Sequence, residues 1–263
     1  MCYLIIKCGG SIAEKLPDSF YQNVAVLQTD YHIKPIIVHG GGPKVSTILD
    51  KLQMETKFID GLRVTNEPVL EVVEMVLSGT ANKQIVRNLL AAGAKGIGLS
   101  GADGKLLEAK LVANHEKVGL VGEIVSINKS LLDLLLHDLY IPVISPVAVD
   151  QNNRPLNINA DEVAAALSKA FHAPICMITD VPGVMKDKKV LSTITKTQIE
   201  EYVENGVIKG GMIPKVKAAI DCIEQGVKEF VIMNGLEEDN LIKYVKKEPI
   251  GTLVCLEEEF ADA

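Results

Sequence analysis

The chain has 263 residues, a length that at ~150 residues per domain predicts one large or two small domains. Hydrophobic residues make up 48% and charged residues 23%, which excludes a disordered chain, a collagen-like chain and a small disulfide scaffold. Acids outnumber bases 34 to 27 for a net charge of −7; the basic footprint of a nucleic-acid binder is missing, and any phosphate site must be built locally from a few lysines and backbone N–H groups.

The first apolar run, Leu4-Ile5-Ile6, is broken at once by Lys7 and Gly9-Gly10, so it predicts a strand and not a secretory signal. No segment reaches the ~18 apolar residues of a membrane span. The five cysteines (Cys2, Cys8, Cys176, Cys222, Cys255) are scattered without a Cys-x-x-Cys pair. They are expected to be reduced, buried small hydrophobes in a cytoplasmic protein without a disulfide framework or structural zinc. Further apolar runs predict buried strands at 3–8, 36–38, 96–99, 143–144, 175–178 and 230–232. Runs of this kind, without in-out alternation, fit a parallel sheet covered on both faces. Between them, Val69, Val72, Val73, Val76 and Leu77 mark one face of a helix with Pro68 in its first turn and Gly79 as its stop. Residues 105–155 are richer in short strands and predict hairpins beside the sheet. A helix follows over 163–171, then a Thr195/Gln198 capping box opens a helix ending at Gly206. The face Ile213, Val216, Ile220, Ile223 predicts a last helix stopping at Gly226. The alternation gives an α/β sandwich with a mainly parallel sheet, read as two lobes on one sheet that meet near 172–174.

Several loops carry chemistry. Gly96-Ile97-Gly98-Leu99-Ser100-Gly101 matches the dinucleotide fingerprint, but a turn, Ala102-Asp103-Gly104, follows where that motif needs a helix. Lys7-Cys8-Gly9-Gly10-Ser11 follows the first strand and reads either as a turn with a solvated lysine or as an anion site of backbone N–H groups. His39-Gly40-Gly41-Gly42-Pro43-Lys44 leads into a helix with the apolar face Val45, Ile48, Leu49 and Leu52, which would set a glycine nest beside a helix N-terminus; His39 reads as a packed end-of-strand residue and not as a general base. Lys209-Gly210-Gly211-Met212-Ile213-Pro214-Lys215 makes a second phosphate-ready terminus, because a first-turn lysine opposes the helix dipole unless an anion is near. Asn159 with Glu162 reads as a capping box and Asp161 suits the dipole, an account that leaves Asn157 unexplained. Arg63 is either a carboxylate clamp or a solvated loop residue.

Taken together, the segments Ile6-Lys7-Cys8-Gly9-Gly10, His39-Gly40-Gly41-Gly42-Pro43, Asp60-Gly61-Leu62-Arg63-Val64-Thr65, Leu99-Ser100-Gly101, Val121-Gly122-Glu123-Ile124, Asn157-Ile158-Asn159-Ala160-Asp161, Thr179-Asp180-Val181-Pro182-Gly183, Gly210-Gly211-Met212-Ile213-Pro214-Lys215 and Gly251-Thr252 occur in one order. The chain thereby resembles the N-acetylglutamate kinases of the amino acid kinase family, from about Leu4 to Leu253. The resemblance implies a three-layer αβα sandwich with a mainly parallel central sheet, the amino acid kinase (carbamate kinase-like) fold. It further implies ATP-dependent phosphorylation of the side-chain carboxylate of N-acetyl-L-glutamate in arginine biosynthesis. Residues 1–173 would hold the acetylated amino acid and the dimer contacts, and residues 174–263 would hold ATP.

Carried over position by position, the resemblance gives catalytic roles to Lys7, Lys215, Asp161, Gly10 and Gly41, with Asp161 orienting both lysines. It gives substrate contacts to Gly41, Gly42, Arg63, Asn157 and Asn159. Nucleotide contacts fall to Thr179, Asp180, Val181, Gly183, Met185, Lys209, Gly210, Gly211 and Met212. Mg²⁺ would ride on phosphates and water with no dedicated metal motif. Two departures stand out: Asn66 replaces an acid, and Met233-Asn234-Gly235-Leu236 replaces a segment that more often contains Asp-Gly-Arg. Arginine-inhibited members generally carry a helix before the first strand, so the early first strand predicts an arginine-insensitive homodimer; a nitrogen-signalling partner is left open. The alternatives are a related kinase acting on acetylaminoadipate, glutamate or aspartate, and a catalytically silent metabolite-binding regulator, the latter disfavoured by intact Lys7, Asp161 and Lys215. No nucleic-acid or membrane partner is expected.

Overall fold

All six apolar runs fall in one eight-stranded sheet. In chain order its strands are β1 (Cys2–Cys8), β2 (Ile33–His39), β3 (Lys95–Leu99), β4 (Tyr140–Ile144), β5 (Ile175–Thr179), β6 (Thr193–Thr195), β7 (Phe230–Asn234) and β8 (Thr252–Cys255). Their spatial order is β6-β8-β7-β5-β1-β2-β4-β3. Every neighbouring pair is parallel except β7–β8. The computed structural model describes residues 2–256, with the side chain of Cys2 and residues 257–263 outside that description.

The helices are α1 (Asp18–Thr29), α2 (Gly42–Lys51), α3 (Glu67–Glu74), α4 (Asn82–Ala91), α5 (His115–Val118), α6 (Lys129–His137), α7 (Ala160–Phe171), α8 (Lys196–Glu204), α9 (Met212–Glu224) and α10 (Asn240–Val245). The strand alternation sorts them into layers. Leu4, Ile6 and Cys8 of β1 pack with α1, α4 and α10, whereas Ile5 faces the side covered by α6, α7, α8 and α9. Ile5 stands opposite Ile36 of β2 and Ile175 of β5, all fully buried. Leu107–Leu111, Val121–Ile127, Val147–Val149 and Pro155–Ile158 close into a small barrel, the hairpin-rich stretch of the sequence. Cys8, Cys176, Cys222 and Cys255 are buried.

Two local expectations are corrected. Gly79 does not end a helix: α3 continues through a π-helical segment, Met75–Ala81, directly into α4. Gly79 keeps a helical backbone there, and the following turns stay helical because Ile85 and Leu89 bury against the sheet. Leu52 is not on the apolar face of α2; it is the C-cap residue and is exposed, while Val45 and Leu49 carry the packing against α3 and Leu77.

The sheet also places the site. β1 lies between β2, the next strand in sequence, and β5, which arrives only after the other half of the sheet is built. The carboxyl ends of these three parallel strands therefore flank a topological switch point, where ligands of open α/β sheets bind. The segment His172–Pro174 is where the chain crosses: His172 ends α7 in the left-handed conformation (φ 50°) and β5 starts one residue after Pro174.

Candidate active site

At that point a cleft of about 520 Å³ opens, lined among others by Gly10, Gly41, Gly42, Arg63, Asn157, Asn159 and Asp161. The glycine loops meet backbone to backbone. A Cβ at Gly10 would lie 2.6 Å from the Gly41 nitrogen and 3.0 Å from that of Gly42, so only glycine admits this approach. Helix α2 starts at Gly42 with Pro43 in its first turn and has no side-chain cap, leaving its first N–H groups for an anion.

Lys7, next to last in β1, is buried and its Nζ lies 2.7 Å from Asp161 Oδ1 at the start of α7. The start of α7 differs from the expected capping box. Asn159 accepts from the Asp161 N–H at 2.9 Å, but Glu162 turns away and accepts from the Ile124 N–H of the barrel at 2.6 Å. The barrel amide competes for the carboxylate, and burial raises the Glu162 pKa.

Arg63 is not a solvated loop residue. It sits in the two-residue strand Leu62–Arg63, paired with Phe58–Ile59 through a turn in which Asp60 and Gly61 both have positive φ (51° and 81°). Two such residues are the requirement of a type I′ hairpin, so Asp-Gly was a signal for this return that the sequence reading did not use. The guanidinium stacks over Phe58 at 4.7 Å, and Nη2 donates to the Gly42 carbonyl at 2.8 Å and to Ser46 Oγ at 2.9 Å. Arg63 lines the cleft, and among the described residues its buried Nη1 has no hydrogen-bond partner, which is the state of a donor that a ligand acceptor completes. Asn157 is tied to the same hairpin, donating to Thr65 Oγ1 at 3.1 Å, and Thr65 in turn donates to the Arg63 carbonyl. Ser46 carried no sequence signal, and Thr65 none beyond its place in the Asp60–Thr65 segment, because their roles depend on contacts across 17 and 92 residues.

Helix α9 covers the cleft through Pro214, Lys217, Ala218 and Asp221. Lys215, in its first turn, points to Asp180 after β5, at 3.5 Å; among the described residues Asp161 pairs with Lys7 alone. The α9 terminus is uncapped and follows the exposed Lys209-Gly210-Gly211, with Gly210 at φ 58°. Thr179 is buried and closes a turn on Val181, Gly183 has φ 153°, and Met185 begins a short exposed hairpin. The two glycine-bearing segments, residues 179–185 and 209–212, are linked through the Lys215–Asp180 pair that follows the second of them.

A model of the amino acid kinase family matches residues 3–234. The chain belongs to the amino acid kinase family. It is 41% identical over 258 residues to the acetylglutamate kinase of Oceanobacillus iheyensis, covering 97% of each chain. It is 46% identical over 233 residues to the acetylglutamate kinase of Halalkalibacterium halodurans, covering 88% of this chain and 89% of the other. Among solved structures, smu.665 from Streptococcus mutans superposes with a TM-score of 0.83 at 29% identity, covering 97% and 99% of the two chains. Giardia carbamate kinase superposes at 0.70 with 15% identity and coverage of 97% and 99%, a likeness of fold.

Two uncapped helix N-termini, a glycine triplet and two lysines suit a phosphorylated ligand. Among the described residues no cluster of three or more His, Cys, Asp or Glu forms a cage for a metal ion.

Proposed function

We propose that this member of the family transfers the γ-phosphoryl group of ATP to the side-chain carboxylate of N-acetyl-L-glutamate, giving the acyl phosphate and ADP. The observation that carries the acceptor class is Arg63, which lines the cleft and whose buried Nη1 has no hydrogen-bond partner among the described residues. The near full-length identity to acetylglutamate kinases supports the acyl amino acid among the carboxylates. Arg63 clamps the α-carboxylate of the acceptor, with Gly42, Asn157 and Asn159 about the rest of it. The part of the chain up to residue 173 holds the acceptor; the part from 174 holds the nucleotide along Thr179, Asp180, Val181, Gly183, Met185 and Lys209–Met212. The protein acts as a cytoplasmic homodimer.

A carboxylate is already a nucleophile, so no general base is needed. The obstacle is bringing one anion to another, and the chain meets it with position and charge. Lys7 and the N–H groups of Gly10 and Gly41 stabilise the transferring group from the acceptor side, and Lys215 from the nucleotide side. Asp161 holds Lys7 in place and limits its repulsion of Lys215. Mg²⁺, when bound, neutralises charge on the nucleotide phosphates.

The test is acyl-phosphate formation, trapped as hydroxamate, by purified protein with Mg-ATP on N-acetylglutamate, N-acetylaminoadipate, glutamate and aspartate. Turnover is expected on N-acetylglutamate above the other three. Turnover on another acceptor would reassign the substrate, and none on any would overturn the kinase reading.

A further inference from the structure

Behind the glycine triplet lies a buried polar chain that the chemistry above does not use. His39, the last residue of β2, is fully buried. Its Nδ1 is 2.9 Å from the Gly40 carbonyl oxygen, and its Nε2 is 3.2 Å from Asn82 Nδ2. Asn82 is itself fully buried, at the point where the π-helical segment passes into α4. Its amide orientation is fixed from both sides: Nδ2 also donates to the Val143 carbonyl at 2.8 Å, and Oδ1 accepts from Lys83 Nζ at 3.1 Å. Since Nδ2 can only donate, His39 Nε2 must accept, and the proton of a neutral imidazole then resides on Nδ1, aimed at Gly40. Gly98, the glycine of the false dinucleotide motif, makes room for this: a Cβ there would overlap Asn82 Oδ1. Burial keeps the ring neutral, lowering its pKa to about 4.

The Gly40 carbonyl belongs to the same planar peptide group as the Gly41 N–H, so fixing one fixes the direction of the other. The same helical segment also supplies Leu77, which fills the space where a Cβ of Gly41 would stand, 2.5 Å from Leu77 Cδ2. π-helical turns of this kind often mark functional positions. We infer that Asn82 and His39 form a relay that clamps the Gly40–Gly41 peptide and so aims the Gly41 N–H at the transferring phosphoryl group, making His39 a positioning residue. The inference rests on the phosphotransfer reading for the role of Gly41, while the relay itself is a matter of proton location.

Two measurements on the full-length protein decide it. Long-range ¹H–¹⁵N correlation of the imidazoles, with the His39 signals assigned by their loss in His39→Asn, should show one neutral tautomer with the proton on Nδ1. A proton on Nε2, or rapid averaging between tautomers, overturns the relay whether or not the protein is a kinase. The second measurement compares His39→Asn, whose amide nitrogen replaces Nδ1, with His39→Gln, whose amide nitrogen replaces Nε2. With both variants shown to be folded by thermal melting, His39→Gln should lose about 10-fold or more in kcat with KM for both substrates little changed, and His39→Asn should stay within about 3-fold of wild type. Equal loss in both variants, or none in His39→Gln, overturns the positioning role.

Discussion

Lys7 at the end of the central strand is paired with Asp161 in the first turn of α7, 2.7 Å away, and both side chains are largely withdrawn from water. Removing one partner of such a pair leaves an uncompensated charge, which costs about 3 kcal/mol. Asp161→Asn preserves shape and hydrogen bonding but not charge. It should lower stability to urea by about that amount and reduce kcat by about 10-fold or more, because Lys7 loses its fixed position. A variant with wild-type kcat would show that Asp161 has no part in orienting the lysine.

The second lysine tests chemistry apart from stability. The Lys215–Asp180 pair is longer, at 3.5 Å, and more exposed, so it contributes little to folding, under about 1 kcal/mol. Lys215→Ala should therefore melt close to wild type while kcat drops by on the order of 10²-fold, the loss expected for an electrostatic donor. Steady-state kinetics beside a melting curve read the two effects separately. A near-normal kcat would remove Lys215 from the reaction.

Neighbouring glycines of one loop should respond in opposite ways. A methyl group at Gly10 meets the Gly41 backbone at 2.6 and 2.9 Å, atoms that cannot yield without separating the two loops. At Gly9 the nearest contact is an ordinary 3.6 Å to Ile12 Cγ2. Gly10→Ala is expected to cut kcat by about 10-fold or more while Gly9→Ala remains close to wild type, since a displacement of about 1 Å at reacting groups is costly. Parallel kinetics on the two proteins check this.

What was legible from sequence follows the range of the interactions. The strands were readable because buried parallel strands are continuous apolar runs, and Ile5, Ile36 and Ile175 meet in register as fully buried neighbours. The glycine loops were readable as loops, and order along the chain gave the family. The short edge strand Thr193–Thr195 was missed: it merges into the capping box of α8 and has too few residues for a pattern. Gly79 misled because a glycine ends a helix when local preference decides; here burial on both sides carries the helix through. Arg63 could not be told from a solvated arginine, since its partners Gly42 and Ser46 lie 21 and 17 residues away. Glu162 left its expected cap for an amide 38 residues distant. For Gly79, Arg63 and Glu162 the local rule lost to a tertiary partner.

Arg63 also yields a test of acceptor binding. Its fork holds the Gly42 carbonyl and Ser46 with one nitrogen, and the other is buried without a hydrogen-bond partner among the described residues. Lysine has a single ammonium and cannot serve both ends. Arg63→Lys should raise KM for N-acetylglutamate by about 10-fold or more, with a smaller change in KM for ATP, as removal of a ground-state contact requires. An equal rise for both substrates would indicate collapse of the hairpin in place of loss of a clamp.

His39 makes the fold itself sensitive to acid. In the unfolded chain its pKa is 6.5, and burial lowers it to about 4 in the fold. Between those values the unfolded state binds a proton that the folded state refuses, so stability falls as pH falls. The contribution is complete above pH 6.5 and is lost as the pH drops towards about 4. At about 1.4 kcal/mol per pH unit this stretch is worth about 3 kcal/mol. Glu162 acts in the opposite sense, since its raised pKa favours the protonated fold and its contribution weakens as the pH rises above the ordinary carboxylate range. Urea unfolding of wild type and His39→Asn at pH 4.5, 5.5, 6.5 and 7.5 isolates the histidine, because every other group is common to both proteins. The stability difference between them should shift by about 2 to 3 kcal/mol in favour of the variant on going from pH 7.5 to 4.5. A difference independent of pH would mean that the ring takes up its proton inside the fold at its ordinary pKa.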